Sequence, residues 1–130
     1  MEGELGYLRG SSEILKEKIK LEASDFTDPD KAREFVNLTG VERLAVAVGN
    51  VHGITLDEPR LDFERIRAIH EKNLDTVLVL HGGSGISDDD LRKAINAGVR
   101  NVHINTEIRA AYTDALRKSL ADYPDEVVPY

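Results

Sequence analysis

What most constrains this chain is a regular alternation between short apolar runs and amphipathic segments. Residues 44–48, 76–80 and 99–104 are apolar on both faces and rich in branched side chains. That pattern marks parallel strands covered on both sides. Segments of helical period lie before, between and after them, at 28–38, 62–72, 87–97 and 106–120. The first has Thr27 or Asp28 as its cap, Pro29 in its first turn and Gly40 just past its end. The second places Phe63, Ile66 and Ile69 on one stripe and closes at Asn73. The third opens with Ser87 followed by three aspartates, which suits the positive end of a helix, and stops at Gly98. The fourth carries Ile108, Tyr112, Ala115 and Leu116 on one face. A stretch over 2–8, with Leu5 inward, reads as one more strand before them all. The resulting βαβαβαβα order predicts right-handed crossovers and a parallel sheet.

One segment breaks the alternation. Residues 9–26 are longer than an ordinary βα connection, and 12–20 have weak helical character through Ile14, Leu15 and Ile19. With Lys16, Lys18 and Lys20 the segment reads either as a solvated surface element or as a lid over a site at the strand ends. The whole is expected to be a single domain of 130 residues. A closed (β/α)8 barrel needs roughly 250 residues, so closure within this chain is excluded.

Composition narrows the chemistry. The net charge of −7 argues against nucleic acid as a partner, because phosphate neutralisation needs clustered Lys and Arg. The absence of cysteine excludes disulfides, thiolate zinc sites and cysteine nucleophiles. No apolar run is long enough to span a membrane, and the acidic start Met1-Glu2-Gly3-Glu4 does not resemble a secretion signal. A cytoplasmic location is the expectation. All seven lysines fall in the long loop or in predicted helices, which argues against a Schiff-base mechanism.

Polar chemistry collects at strand C-termini, the edge where parallel α/β folds bind ligands. His52 and His81 each precede a glycine there, and His103 and Asn105 alternate with Val102 and Ile104. A single strand-end histidine is more often a satisfied structural residue. Two on adjacent strands favour a divalent metal bound without cysteine. Glu4 lies within the first strand, while His70 reads as a helix-surface residue. Gly82-Gly83-Ser84-Gly85 suits an anion nest, and Asn105-Thr106 opens a helix at the same edge. Alone, that glycine run would be a plain turn.

Together these residues resemble the C-terminal half of class II, metal-dependent fructose-bisphosphate aldolases and their tagatose-bisphosphate relatives. The resemblance rests on Gly3-Glu-Leu-Gly6, Thr27-Asp-Pro29, Phe35-Val36, Thr39-Gly-Val41, Leu44-Ala-Val-Ala-Val-Gly49, His52-Gly53, Leu61-Asp-Phe63, Leu78-Val-Leu-His-Gly-Gly-Ser-Gly-Ile86 and Asn105-Thr-Glu107, in that order. It implies strands 5 to 8 of a (β/α)8 TIM barrel. It also implies zinc-dependent, reversible cleavage of fructose 1,6-bisphosphate to dihydroxyacetone phosphate and glyceraldehyde 3-phosphate, with the zinc as Lewis acid. By resemblance His52 and His81 are two of the zinc's three histidine ligands, and Glu4 is the metal-ligating carboxylate that serves a second metal position in some members. Gly53, Gly82, Gly83 and Ser84 form a phosphate and monovalent-cation loop, and His103, Asn105 and Thr106 contact substrate. A homo-oligomer is implied for the full-length protein.

Three departures qualify this. The family usually has Asn where this chain has His103, and the substrate contact is the preferred role for the imidazole. The family's acidic loop pair falls on Ser11 and Ser12, leaving Glu13 as a weak candidate for proton transfer. The family's first zinc histidine and its catalytic aspartate belong to an N-terminal half that these residues do not match, and Pro129-Tyr130 looks like an interruption. The expectation is therefore part of an aldolase, inactive by itself. The alternatives are a tagatose-bisphosphate-type enzyme, or a non-catalytic half barrel that binds metal or phosphate.

Overall fold

A computed structural model describes residues 1–16, 18–57 and 59–124; the interruption expected at Pro129-Tyr130 lies outside them. The strands are β1 (Glu2–Leu5), β2 (Gly10–Ile14), β3 (Arg43–Val46), β4 (His52–Ile54), β5 (Val77–Leu80) and β6 (Val99–Val102). The helices are α1 (Pro29–Thr39), α2 (Phe63–Lys72), α3 (Asp88–Ala97) and α4 (Thr106–Asp122). β1, β3, β5 and β6 pair in that order as one parallel sheet, so each strand lies beside the preceding strand of the same sheet, with β2 and β4 set apart as a second pair. An order that never reverses keeps same-handed crossovers, and so their helices, on one face. This is the parallel α/β sheet that the alternation predicts, and it fits the half barrel that the resemblance implies.

Alternation along the strands divides the side chains between two faces. Leu44, Val46 and Val48, with Leu78, Leu80 and Val99, meet Ala32, Ile66, Ile69, Ala94 and Ala97 of the helices in the buried core. The register pairs Glu4 with Ala45, Ala45 with Val79 and Val79 with Asn101. Those residues look away from the helices, toward what is the interior of a barrel.

The helix ends follow the sequence signals. Asp28 accepts from the backbone N–H of Asp30 and Lys31 at 2.9 and 3.0 Å, and Gly40 closes α1 in the left-handed region. Asp62 caps α2 through the N–H of Arg65, and Ser87 caps α3 through that of Asp90. Thr27 has a different task from the cap first considered for it. Its hydroxyl donates to the carbonyl of Leu5 and accepts from the N–H of Ala47 at 2.8 Å, joining the ends of β1 and β3 in the interior.

Three expectations are corrected. The weak helical character expected over 12–20 gives way at its start to a strand, since 12–14 belong to β2. β2 pairs in parallel with β4, a strand the sequence did not reveal, because Gly10 and Gly53 let the two backbones approach. A Cβ at Gly53 would lie 2.3 Å from the Ser11 carbonyl oxygen. His70 is half-buried rather than on the open surface, with its ring against Gly98, where a Cβ would meet His70 Cγ at 2.5 Å. The apolar face of α4 is not buried: Ile108 and Tyr112 are 65% and 69% exposed. This helix adjoins β2 and β4 instead of joining the layer of α1, α2 and α3.

The base of the 9–26 segment is tied down electrostatically. Arg9 grips buried Asp25 through Nε at 2.6 Å and Nη2 at 3.0 Å. Those bonds, with one from the Glu22 N–H, hold the Asp25 carboxyl below the usual carboxylate range. A lowered folded-state value stabilises above the ordinary value and is lost only as pH falls through the lower one. Tyr7 donates its N–H to the Asp25 carbonyl at 3.1 Å and reports on this anchor. Its exchange protection is expected to persist on acidification past about pH 4, where a free aspartate titrates, and to drop at neutral pH in Asp25→Asn. Thr27→Val is expected to cost about 1–3 kcal/mol in denaturant unfolding, because the buried Ala47 N–H and Leu5 carbonyl lose their partner.

Candidate active site

Strands β2 and β4, the segments that follow β5 and β6, and the start of α4 surround a cavity of about 150 Å³. His52, Gly53, His81, Gly82, Ser84, His103, Asn105 and Thr106 all line it, together with Ser12. The structure thus gathers eight of the residues singled out in the sequence around one space. Gly83 lies directly beneath, its N–H donating to the His103 carbonyl at 2.9 Å. Glu13 borders grooves next to the cavity without lining it. A roomier cleft of about 960 Å³ lies between Lys18–Phe26 and Gly49–Arg60, and no histidine lines it.

His81 is the best-held side chain of the site. Its Nε2 lies 2.9 Å from Glu2 Oε1 and its Nδ1 lies 3.5 Å from Glu4 Oε2. Its ring stacks on that of His103, with centroids 4.6 Å apart and planes 21° from parallel. Its carbonyl accepts from Asn50 Nδ2 at 2.9 Å. The same buried amide accepts from the Val48 N–H at 2.8 Å and donates to the Val46 carbonyl at 3.2 Å. Asn50 therefore locks the end of β3 to the histidine that follows β5. His103 is fixed through its N–H to the Leu80 carbonyl at 2.9 Å, and Asn101 Nδ2 lies 3.2 Å from its Nε2.

Of the three expected metal ligands, Glu4 and His81 are brought together, and His52 borders the same cavity. Among the described residues, Glu2, His81 and His103 form a group that offers three donor atoms within 4.8 Å of one another. Imidazole nitrogens with carboxylate oxygens are a donor set that suits zinc and its neighbours better than calcium or magnesium. Sequence reasoning missed Glu2 and Asn50. Period-two spacing from Glu4 would have placed Glu2 on the same face. Asn50, a polar residue inside an otherwise apolar strand end, was visible as an anomaly.

The glycine loop is more occupied than an open nest. Gly82 has φ +62°, and a Cβ there would sit 2.0 Å from the Val51 carbonyl oxygen, so close approach of two backbones already demands glycine. Buried Ser84 accepts through Oγ from the N–H groups of Asn105 at 3.3 Å and Glu107 at 3.4 Å. The Gly85 N–H donates to Glu107 Oε1 at 2.8 Å. A carboxylate thus sits on one of the donors an incoming anion would use. Glu107→Gln keeps an oxygen for Gly85 but removes the charge. It is expected to tighten inorganic phosphate binding by about fivefold in calorimetry, the scale of one surface charge interaction; unchanged affinity would place Glu107 outside the anion's path.

The family model for class-II fructose-bisphosphate aldolase matches residues 1–129. Among solved structures, the chain is similar to the YdjI aldolase of Escherichia coli K12, with 38% identity and a TM-score of 0.67 over 91% of this chain and 36% of that one. It is also similar to a candidate fructose-1,6-bisphosphate aldolase from Coccidioides immitis, with 32% identity and a TM-score of 0.76 over 90% of this chain and 41% of that one. The fold, at 24% identity and a TM-score of 0.60, is shared with the fructose-bisphosphate aldolase of Campylobacter jejuni, over 76% of this chain and 32% of that one. The chain spans between a third and about two fifths of the length of these structures.

Proposed function

This chain belongs to the class II fructose-bisphosphate aldolase family, and from that premise we propose that it supplies half of a zinc-dependent active site. The reaction is reversible cleavage of fructose 1,6-bisphosphate to dihydroxyacetone phosphate and glyceraldehyde 3-phosphate, in the cytoplasm. The observation that carries the reading is the meeting of His52, His81 and His103 with the glycine loop and the start of α4 around one cavity.

Roles follow from position. His52, His81 and Glu4 would hold the ion, and the nitrogen and oxygen donors present fit it. A divalent ion there supplies a Lewis acid that draws electron density from the ketone oxygen of the sugar. Ser84, Gly82, Gly83 and the first N–H groups of α4 receive a phosphate, which replaces the long contacts from the Asn105 and Glu107 N–H groups to Ser84 Oγ at a helix start that favours an anion. Gly53 lets the β4 backbone come close to the same ligand. His103 and Asn105, at the mouth of the cavity, hydrogen-bond the sugar's oxygens. Asn50 is a positioning residue that sets His81 through its carbonyl. The proton-transfer residue is expected from the complementary half, since Glu13 stands outside the cavity.

The test is a cleavage assay on this chain alone and mixed with a polypeptide carrying the first four β/α units of a class II aldolase. Turnover is expected only in the mixture. Chelation should abolish it and Zn2+ should restore it. His81→Ala is expected to lower kcat by at least about a hundredfold, the scale on which losing a key transition-state interaction acts. Substantial chelator-resistant cleavage, or full activity in His81→Ala, would refute the reading. Running tagatose 1,6-bisphosphate in parallel decides between the two sugars, which differ at one hydroxyl centre.

A further inference from the structure

We propose that Glu2, His81 and His103 form a divalent-cation position of their own, selective for zinc-like ions. It shares only His81 with the His52, His81 and Glu4 set. Each of the three residues offers one donor atom, and all three atoms lie within 4.8 Å of one another. Two imidazole nitrogens and one carboxylate oxygen are a common protein contribution to zinc, leaving a coordination position open.

The surroundings supply what a ligand set needs beyond its donors. Metal-binding histidines are normally oriented by a hydrogen bond at the second ring nitrogen. For His81, Glu2 meets Nε2 at 2.9 Å while Glu4 lies 3.5 Å from Nδ1 on the other side of the ring. For His103, Asn101 Nδ2 lies 3.2 Å from Nε2, so a flip of that amide is needed for Oδ1 to accept from Nε2–H when Nδ1 binds the ion. Both backbones are fixed, His81 through Asn50 and His103 through Leu80 and Gly83. Ala45 and Ala47 on the intervening strand are small, which leaves the Glu2 side chain room to cross toward His81.

One rearrangement is required. Rings only 21° from parallel do not aim their in-plane lone pairs at one point, so one ring turns on loading. His103 is exposed whereas His81 is held between two carboxylates, so His103 turns. An amide in place of His103 would be a poor ligand for such an ion. This position is therefore a property of the imidazole in this chain. The proposal does not need the aldolase reading; the two positions compete for one histidine.

The 130-residue chain would be titrated with Zn2+ by calorimetry and with Co2+ by visible absorption, and the histidine ring nitrogens followed by NMR. One ion per chain is expected, with the His81 and His103 rings shifting on saturation and the His52 ring little changed. Glu2→Gln and His103→Asn, both at exposed positions, are each expected to weaken binding by at least about tenfold. A fold check by circular dichroism accompanies each variant, and the ring shifts in the unmutated chain answer the question without any variant. Binding lost in His52→Ala or Glu4→Gln but kept in Glu2→Gln and His103→Asn would overturn the proposal and leave the aldolase reading standing. Absence of any Zn2+ binding at millimolar concentration would also overturn it. Failure of the aldolase reading shows separately, in the cleavage assay.

Discussion

Everything at the candidate site depends on the register of four parallel strands. Because side chains alternate, pairing Glu4 with Ala45 and Ala45 with Val79 sends Leu44, Val46, Leu78 and Leu80 to the helices and the polar residues the other way. A slip of one residue would bury Glu2 and Glu4 among aliphatic side chains and turn the leucines outward. The hydrophobic effect therefore does more than hold the layers together. By fixing which face is greasy, it fixes which face is chemical. Thr27 sharpens this at the critical edge, where one hydroxyl satisfies groups on both β1 and β3.

Charge balance then decides how the polar face behaves. His81 is flanked by Glu2 and Glu4, Gly85 by Glu107, and Arg9 by Asp25. In the first two cases acids stand where a cation or an anion would enter, so the protein's own carboxylates shape what can bind. The third is structural: a buried aspartate matched by a guanidinium in two-pronged contact keeps the long connection fastened to the sheet.

Much of this was legible in the residues. The strands at 44–48, 76–80 and 99–104 and all four helices announced themselves through apolar period and end signals, and the structure shortens or shifts them by only a residue or two. The gathering of His52, His81, His103 and the glycine run at one edge followed from parallel topology alone. What failed to show was set by contacts distant in sequence. β2 exists because β4 offers it an edge, and nothing in Gly-Ser-Ser-Glu-Ile signals a strand. The exposure of Ile108 and Tyr112 depends on where α4 sits, which its own periodicity does not encode. Glu2 finds His81 across 79 residues and an intervening strand. The Glu107 carboxylate on Gly85 likewise belongs to a turn meeting that no single-segment pattern contains.

The sequential strand order also bears on how the molecule comes into being. Since β3, β5 and β6 each dock on the preceding strand of the sheet, this sheet can grow one unit at a time as the chain leaves the ribosome. Loop closure at each step spans a single helix and its connections, which keeps the entropic cost of each addition modest. The ion-binding and anion-binding groups follow the opposite schedule. Within these residues Glu2 comes with the first strand of the sheet, and His103 and Glu107 follow the last. The scaffold is thus assembled before its chemistry, and the carboxylates near His81 gain their second imidazole only when folding is nearly complete.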